Sequence, residues 1–109
     1  MNTLLTAFSA LSDATRFSIV EQLMADGELP AGDLIDGKGM SGAAISRHLK
    51  VLREAGLIQQ RVQGTQRLYS VRSEGLRAIA DWTISKRQFW ENSLDRLGDI
   101  LERETSWPT

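Results

Sequence analysis

Arg47, Lys50 and Arg53 stand three residues apart, with Ser46 beside the first of them, inside the run Ser41-Gly42-Ala43-Ala44-Ile45-Ser46-Arg47-His48-Leu49-Lys50-Val51-Leu52-Arg53-Glu54-Ala55-Gly56. Helical winding places them on the faces that Ile45, Leu49 and Leu52 leave outward, since those three mark one buried stripe. Such a face offers recognition chemistry, not bond-making. Arginine and lysine reach guanine or phosphate, and the small first turn (Gly42, Ala43, Ala44) lets a helix approach base edges in a major groove. Ser41 supplies a capping hydroxyl at the start. Gly56 suits the stop, where positive φ is often wanted.

Within this run Arg47 favours base or phosphate contact over a merely solvated cation, and Ser46 is similarly placed. Lys50 and Arg53 look like phosphate contacts. His48, the only histidine, has two readings: a packed, hydrogen-bonded side chain, or a flank contact to phosphate. There are no cysteines, so disulfides and thiolate ligands are impossible. No Ser/His/Asp set appears, and neither catalysis nor a cofactor or metal is expected. Gly37-Lys38-Gly39 with Ser41 fails the spacing of a phosphate-binding P-loop and reads as a turn between helices. The amides of the helix that follows could still hold a DNA phosphate.

The elements that must position this run come next. Leu57 to Gln63 and Arg67 to Arg72 place Ile58, Val62, Tyr69 and Val71 among polar residues, and Gly64-Thr65-Gln66 separates them. That pattern predicts a hairpin with a short loop. Arg61 and Arg67 flank its tip and read as backbone binders. Gln63, Thr65 and Gln66 could reach a minor groove or simply form a polar loop. A helix followed by a basic-flanked hairpin is the layout of a winged helix-turn-helix, mainly α with a small two-stranded antiparallel β-hairpin.

A chain of 109 residues is expected to form one domain, with a modest core that a subunit partner would help. The net charge of −1 hides an uneven distribution. Residues 41–72 hold six basic side chains against Glu54 alone, whereas the segments on either side are acidic. That asymmetry fits a polyanion held against one face. The N-terminus lacks a basic leader region and a cleavage site, and no apolar run reaches membrane-spanning length. A soluble cytoplasmic protein is expected.

Thr3 to Leu11 places Leu4, Phe8 and Leu11 at helical spacing, with Leu5 beside them. Ser12 or Asp13 then caps a helix from Ala14 to Ala25 with Phe17, Val20, Leu23 and Met24 inward, and Gly27 ends it. Pro30 suits the first turn of a short helix through about Asp36, anchored by Leu34 and Ile35. After the hairpin, Ser73 and Glu74 begin a helical segment reaching about Glu104. Trp90, Leu94, Leu97 and Leu101 fall at steps of four, three and four, the alternation of a helix–helix seam. Unbroken, that segment would span roughly 46 Å, and a bend around Thr83–Lys86 would shorten it. The simplest cover for its apolar side is a homodimer, with Leu4, Leu5 and Phe8 of the first helix sharing the interface. Glu91, Asp95, Asp99 and Glu102 read as a solvated face with Arg87–Glu91 and Asp99–Arg103 pairs. A Ca²⁺ or Mg²⁺ cage usually needs a loop instead. Trp107 could dock from the tail.

These features together resemble the ArsR-type winged-helix repressors of bacteria. The carriers are Ala10-Leu11-Ser12-Asp13-Ala14-Thr15-Arg16 with Ile19, Val20 and Leu23, then Ser46 through Ile58, and the Gly64…Arg67-Leu68-Tyr69 wing. The resemblance covers nearly the whole chain. It implies a homodimer, a recognition helix in the major groove, a wing on the backbone or minor groove, and repression relieved by a signal. One departure matters. Metal-sensing members carry two cysteines in Glu-Leu-Cys-x-Cys-Asp-Leu, and this chain has Glu28-Leu29-Pro30-Ala31-Gly32-Asp33-Leu34. Neither Pro30 nor Gly32 has a donor, and the last helix lacks histidine, so sensing at the family's usual metal sites is not expected.

The function expected is therefore sequence-specific binding of a near-palindromic double-stranded DNA operator by a homodimer that represses transcription. Two other readings stand beside it: a winged helix used as a protein-interaction module, and a metal sensor with a non-thiolate oxygen site. The residues name no effector.

Overall fold

Asn2, Asp13 and Ser41 each open a helix by accepting amides of its first turn, so three short polar side chains set much of the helical layout. The structure is a computed structural model that describes residues 2–104, with side chains through Glu102. Trp107 and the Arg103 side chain lie outside the described residues. The elements are α1 (Thr3–Leu11), α2 (Ala14–Asp26), β1 (Leu29–Pro30), α3 (Ala31–Ile35), α4 (Gly42–Glu54), β2 (Ile58–Gln63), β3 (Gln66–Val71), α5 (Ser73–Ser85) and α6 (Arg87–Glu104). Of the two expected caps for α2, Asp13 is the one used, accepting from the Arg16 amide at 3.0 Å.

The chain divides into two compact units, one through Ile79 and one from Ala80 onward. In the first, Ile19, Leu34, Ile45, Leu49, Leu52 and Leu57 are buried together. The stripe on α4 falls where the spacing predicts. On α2 the expectation is half met. Val20 and Leu23 point in, but Phe17 and Met24 are 49% and 62% exposed, and Ile19 takes the inward position. At about 100° per residue, Phe17 and Met24 lie together at one side of the stripe made by Ile19, Val20 and Leu23.

The sheet has three antiparallel strands, not two, in the order β1-β3-β2. Leu29 pairs with Tyr69 and Pro30 with Leu68. A two-residue strand containing proline has no periodicity to read, and proline, lacking an N–H, belongs at a sheet edge. The hairpin loop is also tighter than expected. Gln63 pairs with Gln66, which leaves only Gly64 and Thr65 in the turn. Gly64 has φ +62°, as the first central residue of a two-residue hairpin turn requires.

Side-chain alternation then splits the wing into two faces. Ile58, Gln60 and Val62, with their partners Val71, Tyr69 and Arg67, share the face turned to the core. Ile58 and Tyr69 are buried there, and the Tyr69 hydroxyl donates to Gln60 Oε1 at 2.9 Å. Gln59, Arg61 and Gln63 lie on the opposite face with Ser70, Leu68 and Gln66. This division matters for function below.

The first turn of α5 closes against the turn after α4. The Gly75 amide donates to the Gly56 carbonyl at 2.9 Å. A Cβ on Gly75 would meet Leu57 Cδ2 at 2.8 Å and the Ala55 carbonyl oxygen at 2.9 Å. Leu57 is fully buried, so neither neighbour can yield cheaply. Gly75→Ala is accordingly expected to lower the unfolding free energy by about 1–3 kcal/mol through overpacking. Urea denaturation reads this directly, and an unchanged midpoint would mean that the turn has slack.

In the second unit, α5 and α6 are separated at Lys86, within the stretch where a bend was expected. The cause is local. Ser85 Oγ donates to the Trp82 carbonyl at 2.8 Å, and the Lys86 amide is shared between the Trp82 and Thr83 carbonyls at 3.2 Å each. The Trp82 and Trp90 rings meet edge to face at 6.4 Å, and Phe89 lies 5.0 Å from Trp90. The expected Arg87–Glu91 pair forms at 2.9 Å. Among the described residues no helix is long and apolar enough to cross a membrane.

Candidate nucleic-acid interface

The α4 helix enters through Ser41, whose hydroxyl accepts from the Ala44 amide at 3.1 Å. The preceding loop is tied to α2, since Lys38 Nζ donates to Gln22 Oε1 at 2.7 Å and Gln22 Nε2 to the Asp33 carbonyl at 3.4 Å. At the far end Gly56 adopts φ +72°, the left-handed stop anticipated from its type. The helix is therefore fixed at both ends and along its buried stripe.

Its outward side carries Ala43, Ser46, Arg47 and Lys50, all exposed, with Arg53 exposed at the C-terminal end. Ala44 is half-buried and less available than Ala43. Lys50 lies 3.9 Å from Glu54, a loose i,i+4 pair in solvent. Among the described residues Arg47, Arg53 and Arg67 form no ion pair. Their charges are not consumed internally.

His48 sits differently. Its side chain is only 19% exposed, and Nδ1 lies 3.3 Å from Arg16 Nη1 and 3.9 Å from Asp13 Oδ2. Arg16 also donates through Nε to the Ala10 carbonyl at 2.7 Å. One guanidinium thus ties the C-terminal end of α1 to the flank of α4. The Arg16 amide holds the Asp13 carboxyl below its ordinary range, against the opposing effect of burial, and the nearby Arg16 charge adds to the shift. Of the two readings of His48, this geometry supplies the packed, bonded one.

Residues 11–61 match a family described as a helix-turn-helix domain. The HTH-type transcriptional regulator Rv2034 of Mycobacterium tuberculosis is 38% identical over 98 residues, covering 90% of this chain and 88% of the relative. The transcriptional repressor SdpR of Bacillus subtilis is 31% identical over 87 residues, covering 80% of this chain and 96% of the relative. A crystal structure of an ArsR family transcriptional regulator superposes with a TM-score of 0.74 at 26% identity, over 82% of this chain and 91% of that one. This chain belongs to the ArsR family of winged helix-turn-helix transcriptional regulators.

In this ArsR-family chain the wing divides the residues expected at its tip. Gln63, Thr65, Gln66 and Arg67 are exposed around the turn, and Arg67 lies on the core-facing side next to Val62. Arg61 lies on the opposite face and is already engaged. Its Nε and Nη2 donate to the two carboxylate oxygens of Glu28 at 2.8 and 2.6 Å. The two arginines appear equivalent in sequence and are not equivalent in the fold. Two residues of consequence escaped the sequence reading as site components: Arg16, which holds His48, and Glu28, which holds Arg61. Neither carries a local signal, because each partner is more than thirty residues away.

Proposed function

We propose that two copies of this chain bind a near-palindromic duplex and repress transcription, each copy laying α4 in the major groove. The observation that carries this reading is Arg47, exposed on α4 between Ala43 and Lys50 and without an internal ion partner among the described residues. Ser41, Ala43, Ala44 and Ser46 would lie near the bases or phosphates at the helix entry. Lys50 and Arg53 would neutralise phosphates further along it, so that affinity falls with salt by counterion release. Arg67, Thr65, Gln63 and Gln66 would track the backbone or minor groove from the wing.

The dimer is supported by the apolar side chains left exposed on two helices. Leu5 and Phe8 are exposed on α1, as are Trp90, Leu94, Leu97 and Leu101 on α6. Leu4 is half-buried. Each helix would cover this side against the second copy. The two α4 helices would then sit about 34–36 Å apart, one turn of duplex. An inducer would act by favouring a dimer state with a different separation. We place no metal in that switch, because Pro30 and Gly32 offer no donors where metal-sensing members have thiolates.

A gel shift of the purified protein against the DNA upstream of its own gene tests this reading. The expected result is a discrete, salt-sensitive complex with a protected near-palindrome in a footprint. Failure to shift any duplex in dilute buffer would leave α6 as a protein-binding surface and sink the DNA reading. A metal titration that altered DNA affinity would replace the donor argument with an oxygen-ligand sensor.

A further inference from the structure

We propose that the Glu28–Arg61 pair is a strap that aims the wing, making both side chains positioning residues for the duplex; the proposal rests on the DNA-binding reading above. The pair is bidentate, with the Arg61 fork set on both oxygens of one carboxylate at 2.6 and 2.8 Å. Such fork-to-fork pairs fix orientation as well as distance. The path of the strap is what gives it a purpose. Arg61 lies opposite Leu68, and Leu68 lies opposite Pro30, in one row across the sheet. Glu28 immediately precedes β1. The pair therefore crosses over β3 and joins the strand at one edge of the sheet to the strand at the other.

Backbone bonding alone ties that edge weakly. The β1 strand contributes two residue pairs, and one of them is made by Pro30, which has no N–H to donate. The outer part of the hairpin receives no help from the core, for Val62, Gln63, Gly64, Thr65, Gln66 and Arg67 are all exposed. Burial fixes the wing at its base, where Ile58 and Tyr69 are buried and Val71 packs against the core. Small rotations at that base would displace Arg67 and the turn, the parts that must meet a duplex. A charged brace on the outer face, just beyond the last buried row, opposes such rotation. Glu28 is held below its ordinary carboxylate range chiefly by the hydrogen bond from Arg61, which is consistent with a persistent pair.

The competing account takes Arg61 as a phosphate contact with Glu28 as its internal competitor, and the two differ in sign. With the full-length protein and its upstream duplex, Glu28→Gln and Arg61→Gln are each expected to weaken binding by about three- to tenfold, the cost of ordering a looser wing. The double variant should be no worse than either single one. The exchange Glu28→Arg with Arg61→Glu should recover most of the affinity. The slope of affinity against salt should stay that of the wild type in every variant. Tighter binding by Glu28→Gln, or a slope lowered by about one unit in Arg61→Gln alone, would overturn the strap and make Arg61 a DNA contact. Amide exchange across residues 62–67, measured without DNA, separates this proposal from the reading it rests on. Exchange should quicken in Glu28→Gln and return towards wild type in the exchanged pair. Unaltered exchange would overturn the strap even where the duplex is bound normally.

Discussion

Replacing Leu94 and Leu97 together by glutamate should leave a protein that sediments as a single subunit and binds its operator at least about 100-fold more weakly. Both leucines are more than half exposed, at 66% and 52%, in a helix whose Trp90, Ile100 and Leu101 are exposed as well. Steps of four, three and four bring Trp90, Leu94, Leu97 and Leu101 onto one side of α6, the alternation that a packed second helix would need. Glutamate there would have to be desolvated against its own copy across the two-fold axis, so association is opposed by both burial and repulsion. The loss of DNA affinity follows without any change at α4. Two linked half-site contacts benefit from effective concentration, and a lone subunit forfeits it. Unfolding would not explain the loss, since the buried core lies between Ala7 and Tyr69 and includes neither leucine. Sedimentation velocity beside circular dichroism decides the matter. A variant that remains dimeric with wild-type affinity would remove α6 from the interface.

Which parts of this molecule could be read in advance follows from the range of the forces involved. The Ser41 cap, the Gly56 stop and the Ile45, Leu49 and Leu52 stripe depend on neighbours within four residues, and all three are in place. The hairpin was legible for the same reason, because Gly64 and the flanking β-branched residues act locally. What escaped is what depends on distant partners. The β1 strand exists only because β3 offers it an edge, and its two residues carry no pattern of their own. Phe17 and Met24 look as apolar as Val20 and Leu23, yet the register that buries Ile19 turns them outward. Arg61 and Arg67 differ only in face, and a face acquires meaning when Glu28, thirty-three residues earlier, reaches one of them. A count of cations therefore overstates the charge available to a ligand. Partners must be subtracted before a basic patch is assigned its strength.

That subtraction leaves Arg47 as the cation whose removal should matter most on α4. Arg47→Ala is expected to weaken operator binding by about 1–3 kcal/mol. Its neighbours on the exposed side are Ala43 one turn before and Lys50 one turn after, so the guanidinium has a small residue on its N-terminal side and room to extend. Lys50 shares its field with Glu54, and Arg53 stands at the end of the helix away from the small first turn. Each should cost less when truncated. The conservative variant then identifies what Arg47 touches. A guanine edge is best matched by the planar fork of two parallel N–H donors, a geometry that lysine's ammonium does not fix, so Arg47→Lys would recover only part of the affinity and would tolerate changes at one base pair. A phosphate asks only for charge, so lysine would restore most of the affinity and keep the salt slope that alanine lowers by about 0.9. Titrations at several salt concentrations with the natural duplex and single-base variants separate the outcomes. Wild-type affinity in Arg47→Ala would take this residue out of the interface, and with it the observation on which the placement of α4 rests.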